Sequence, residues 1–146
     1  MSEKTKLLGA ITAHVIYISS IITFLARMYF GAGPGYWIGI PTLLMAFPLI
    51  YLLIKASDED QPTLYYLQVG LMLTWIILLF LVDYVFKIEF RQTQWMVITF
   101  VTWYFAGMGG MIGVASKAGR KWTISAVVLF FIAGILAFVQ RAATGY

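Results

Sequence analysis

Apolar residues in this chain come in five long runs, each closed by a short polar or glycine-rich stretch. The runs extend from Leu7 to Phe30, Tyr36 to Ile54, Leu64 to Phe86, Trp95 to Val114, and Trp122 to about Val139. Each is close to the ~20 apolar residues that a helix needs to cross a hydrocarbon core of roughly 30 Å. The pattern predicts an all-α polytopic membrane protein, a single integral domain built as a bundle of five transmembrane helices. Links of roughly 5–9 residues are too short to cross a bilayer, so consecutive helices must be antiparallel.

The punctuation supports these boundaries. Gly31 to Gly35 reads GAGPG, a turn signal. Lys55 to Pro62 is the most polar stretch and belongs in water, as do Lys87 to Gln94 and the basic turn Ser116 to Lys121. Pro41 falls near the start of the second run, where it is tolerated. Pro48 falls inside that run and predicts a kink. The first six residues resemble the charged start of a signal peptide, but the apolar run behind them exceeds the 7–15 residues of such a peptide's core. A retained first helix is expected.

Composition removes several alternatives. The chain is 62% hydrophobic and 11% charged, against roughly 25% charged residues in a soluble domain. It has no cysteine, which excludes disulfides, thiolate metal sites and a cysteine nucleophile. His14 is the only histidine and cannot alone form a multi-histidine zinc site or a bis-histidine haem site. No metal or cofactor is implied. The net charge of +4 is spread over the links, without the basic stripe that nucleic-acid binding requires.

Charge also bears on orientation. Lys4, Lys6, Lys55, Lys117, Arg120 and Lys121 fall on one side, and Arg27, Lys87, Arg91 and Arg141 on the other. The excess favours a cytoplasmic N-terminus and an outside C-terminus.

Three ionisable residues fall inside the runs, and such residues are functional candidates because they are costly in lipid. Arg27 and Asp83 share a depth near the outer interface. They could pair across helices as a gate or ion-coupling site. Alternatively, Arg27 reaches the headgroups and Asp83 pairs with Lys87 one turn on. His14 lies about 10 Å inside the inner boundary, at a depth similar to that of Gln68. A His14–Gln68 hydrogen bond would satisfy both, either as a proton-accepting site or as a neutral structural contact. Thr12, Ser19, Ser20, Thr23 and Arg27 share one helical face. Such a stripe can line a water path, pack against a helix or bond its own backbone.

Small residues and aromatics give further candidates. Ala106, Gly109, Gly110 and Gly113 in the fourth run form overlapping small-x-x-x-small pairs, and Thr123, Ala126, Gly134 and Ala137 in the fifth share a face. Close packing of runs four and five is expected, or else a dimer face. Trp75, Trp103 and Tyr104 lie mid-span, where a Trp N–H wants a partner. They could line a pocket for an apolar ligand such as a lipid or quinone, or be core. Asp58, Glu59 and Asp60 lack the ligand count of a cation site and read as a solvated link.

No G-x-S-x-G, H-E-x-x-H, Walker A or dinucleotide-binding pattern is present. The expected function is therefore non-enzymatic: an oligomeric or complex-associated membrane subunit whose partners are membrane lipids and other copies or subunits. A small transporter or channel gated by Arg27 and Asp83 is the alternative, and lipid or quinone binding a third.

Overall fold

A computed structural model describes residues 3–30, 37–59, 61–86 and 93–144. Among these the protein is all-helical, with 92% helix and no strands. Five helices are long and apolar enough to cross a membrane: α1 (Glu3–Phe30), α2 (Ile40–Asp58), α3 (Thr63–Val85), α4 (Gln94–Ser116) and α5 (Arg120–Thr144). Several extend further into the polar links than the apolar runs do. α2 continues through Lys55 to Asp58, and α5 begins at Arg120. A helical backbone bonds its own polar groups, so it need not stop where hydrophobicity stops.

Contacts fix the directions of the helices. Gly9, near the start of α1, meets Leu52 near the end of α2 and Val114 near the end of α4. Lys117 lies over the Tyr65 ring at the start of α3, 5.5 Å from its centroid. Trp122, at the start of α5, packs edge-on against His14 of α1. Thus α1, α3 and α5 run one way and α2 and α4 the other. Lateral order follows from the pairs in contact: α1 touches α2, α4 and α5, while α4 also packs on α3 and α5, and α2 on α3.

α1 is the most enclosed helix, with 44% of its apolar window buried, against 11% for α5. The reason lies in its sequence. Gly9, Ala10, Thr12 and Ala13 are all buried, and small side chains let neighbouring backbones approach. At Gly9 a Cβ would come within 2.9 Å of the Val114 side chain.

Two irregularities have local causes. α2 is interrupted at Met45, between Ile40–Leu44 and Ala46–Asp58. Pro48 lacks an N–H and its ring crowds the carbonyl four residues back, that of Leu44. The expected kink therefore falls just ahead of the proline. α3 ends in a π-helical turn, Phe80–Val85, closed by the Phe86 N–H donating to the Leu81 carbonyl at 2.8 Å. Nothing in the apolar pattern predicted this turn.

The glycines of α4 correct an expectation. α4 does contact α5, where Gly134 receives the Phe105 ring at 3.1 Å from its Cβ position. Yet Gly110 and Gly113 face α3. A Cβ on Gly110 would lie 3.2 Å from Gln68 Cα, and one on Gly113 would overlap the Gln68 amide. Gly107 joins them, with its Cβ position 3.3 Å from Met72 Cα. The ridge that meets α3 is thus 107-110-113, spaced by three. Gly109 lies off it and meets nothing within 4 Å. The four-residue spacing misassigned the face because 3.6 residues per turn lets both spacings share a stripe.

Gly107→Ala and Gly110→Ala would press on the α3 backbone, which cannot yield as a side-chain tip can. Each is expected to destabilise the protein by about 1–3 kcal/mol. Gly109→Ala is expected to leave stability unchanged or raise it by up to about 1 kcal/mol, because it improves helix propensity in open space. Thermal unfolding of the three variants in detergent reads the difference.

Candidate functional site

His14 is held at both ring nitrogens. Nδ1 lies 2.8 Å from the Ala10 carbonyl and Nε2 lies 2.8 Å from Ser125 Oγ. A carbonyl only accepts, so Nδ1 carries the proton, and in the neutral ring Nε2 accepts from the Ser125 hydroxyl. The expected His14–Gln68 bond does not form. Gln68 sits against Gly110 and Gly113, and His14 finds its partner 111 residues away on α5. A serine–histidine contact is the pairing a nucleophile would use. Ser125, however, lies inside α5, where the surrounding N–H groups are engaged in the helix and cannot stabilise an oxyanion. The contact ties α1 to α5.

Hydroxyls of α1 bond both their own helix and α2. Thr12 and Thr23 donate to the Leu8 and Ser19 carbonyls of their own helix. Thr42 of α2 donates to Ser19 Oγ at 2.6 Å, and Ser19 donates to the Ile38 carbonyl. Tyr17, fully buried, donates to the Met108 carbonyl of α4 at 2.6 Å. Sequence reasoning passed over Tyr17, Ser125 and Thr42. A mid-span Tyr is a detectable signal, since its O–H needs an acceptor. Ser125 and Thr42 leave no comparable signature.

Trp75 and Tyr104 are brought together. Their ring centroids are 5.1 Å apart, with Phe24 and Phe105 against Tyr104 at 6.1 and 5.3 Å. Both residues are more than nine-tenths buried. Among the described residues the Trp75 indole N–H and the Tyr104 hydroxyl have no partner at hydrogen-bond geometry. Buried polar atoms are rarely left unbonded, so two adjacent exceptions mark a place able to donate to an acceptor. Trp103 points elsewhere and donates to the Leu71 carbonyl at 3.1 Å, joining α4 to α3.

Arg27 lies in the last turn of α1, and Asp83 lies in the π-helical turn that ends α3. Both are half-buried. Val82, beside Asp83, packs on Phe100, one turn before Tyr104. The two ionisable groups therefore occupy the same end of the bundle. Lys87, the other expected partner of Asp83, lies outside the described residues, as does Asp60 of the acidic link.

The outward side of α4 carries a third feature. Thr99, Thr102 and Ala106 are exposed, and Gly109 continues their stripe into open space. The Thr99 hydroxyl is satisfied by the Trp95 carbonyl.

The chain matches no known protein-family model, no curated protein and no solved structure.

Tyr17→Phe removes a buried interhelical hydrogen bond and is expected to cost about 0.5–1.5 kcal/mol. Tyr104→Phe removes a hydroxyl without a hydrogen-bond partner among the described residues and is expected to change stability by less than about 0.5 kcal/mol. Unfolding of both variants in one detergent, with wild type as reference, checks the contrast.

Proposed function

We propose that this protein is a non-enzymatic integral membrane subunit that self-associates through the outward face of α4. The observation that carries this reading is the stripe Thr99, Thr102, Ala106 and Gly109, which is small along its length and exposed among the described residues. In lipid there is little hydrophobic drive between helices. Association depends on close van der Waals contact, which small residues permit. A ridge of this kind is self-complementary, so a second copy related by a two-fold axis presents the matching surface. The outward sides of α1 and α5 carry large apolar side chains such as Ile18, Ile22, Phe131 and Phe138, which hold a neighbouring helix further off.

The absence of cysteine makes the test direct. Gly109→Cys is expected to form a disulfide-linked dimer on mild oxidation in native membranes, and Phe131→Cys on α5 is not. Gly109→Leu is expected to convert the detergent-solubilised species to a monomer by mass while leaving its melting temperature within about 2–4 °C of wild type. Monomeric wild type, with no Gly109→Cys cross-link, would refute self-association. A cross-linked product of another mass would keep the subunit role and replace the second copy by a different chain.

One observation favours a second reading, the binding of an apolar ligand with a hydrogen-bond acceptor, such as a quinone. Trp75 and Tyr104 hold two unpartnered donors side by side within the bundle. A carbonyl oxygen there would satisfy both. Native mass spectrometry of protein purified from membranes should then show a retained quinone that is lost in Trp75→Phe/Tyr104→Phe.

A further inference from the structure

The end of the bundle at which α1 and α5 begin carries a depression of about 220 Å³. Glu3, Lys4, Lys6 and Leu7 of α1 line one side, and Ala118 and Trp122, flanking the start of α5, line the other. Its volume is below the roughly 300–1,000 Å³ of sites that enclose a whole ligand. It would hold a headgroup and leave anything longer outside.

Its charge is one-sided. Glu3 is the only acid in the lining, and it bonds Lys6 at 3.4 Å from a position 91% exposed. Such an exposed pair is weak and easily exchanged. Lys6 is held closer to the protein, at 31% exposure. Among the described residues Lys4 has no ion-pair partner. The first turn of α5 adds Arg120 and Lys121 and no acidic residue. A helix N-terminus is already electropositive and is ordinarily relieved by acids. Here basic residues are gathered around it, an arrangement that an anion would relieve.

The apolar wall is held in place. The Trp122 ring stands edge-on to His14 with centroids 5.0 Å apart, and His14 is locked by its bonds to Ala10 and Ser125. Such support reduces the cost of ordering a wall when something binds to it. The turn before it needs Gly119, whose φ of +133° is disfavoured for residues with a side chain.

We infer that this depression binds the phosphate headgroup of an anionic phospholipid. Lys4 and Lys6 would take the phosphate oxygens, while Leu7 and Trp122 would cover the glycerol and the first methylenes. A mixed lining of lysine rim and apolar wall suits an amphiphile better than a free anion. The site lies at the bundle end and is separate from the outward face of α4.

Delipidated protein in mild detergent, titrated with phosphatidylglycerol or phosphatidylcholine of the same chains and read by native mass spectrometry, tests this. Wild type is expected to bind phosphatidylglycerol about tenfold more tightly. Lys4→Gln/Lys6→Gln is expected to lose that preference, and Lys4→Arg/Lys6→Arg to keep it. Lys55 lies over the Tyr51 ring at the same end but outside the depression, and Lys55→Gln should change the preference less than twofold. Equal binding of the two lipids by wild type, or an equal loss in Lys55→Gln, overturns the proposal. Displacement of the lipid by millimolar inorganic phosphate would also overturn it, assigning the site to a free anion.

Discussion

Close backbone approach at small residues is the constraint on which this bundle rests. For helices this apolar in a lipid surrounding, burial of hydrophobic area would gain little, and contact density would have to supply the adhesion. The protein achieves it at two seams. Gly9, Ala10 and Ala13 bring α1 into the centre of the bundle. Gly107, Gly110 and Gly113 let α3 lie directly on α4. Once those distances are short, polar groups on facing helices fall within bonding range. Tyr17 reaches the Met108 carbonyl and Trp103 reaches the Leu71 carbonyl because the backbones that carry the acceptors are near.

The polar residues therefore divide by partner. The hydroxyls of Thr12, Ser19, Thr23 and Thr42 are absorbed by backbone and by one another. His14 and Ser125 tie the least enclosed helix, α5, to the most enclosed one. Against this background of satisfied groups, the Trp75 N–H and Tyr104 O–H stand out as donors without acceptors. The open stripe on α4 and the basic depression at the start of α5 stand out as surfaces that the described residues do not occupy. Self-association, ligand binding and lipid binding each rest on one of these three features and use different atoms.

The bundle was largely legible in the sequence. Five apolar runs of spanning length, with links too short to cross, require alternating helices, and that alternation is what the contacts at Gly9, Tyr65 and Trp122 show. Less was legible at the sites. Depth along a helix can be counted at 1.5 Å per residue, so His14 was placed at a level where Gln68 also lies. Depth does not say which helices are neighbours or how each is rotated. At that level Ser125 was an equally available partner, and the packing chose it.

What the amino-acid order determined by itself was therefore local: where helices form, how long they are, where Pro48 breaks one, and which way each must run. Hydrogen bonds within a helix and the hydropathy of a continuous run depend only on neighbours in the chain. Tertiary structure alone decided the pairing of faces, because helices that are apolar all round do not announce which side turns inward. The ridge 107-110-113 was selected over the 106-110 and 109-113 pairs by the shape of α3 opposite it. The meeting of Trp75 with Tyr104, and the gathering of Lys4, Lys6 and Trp122 around one depression, likewise exist only once separate helices have found their lateral order.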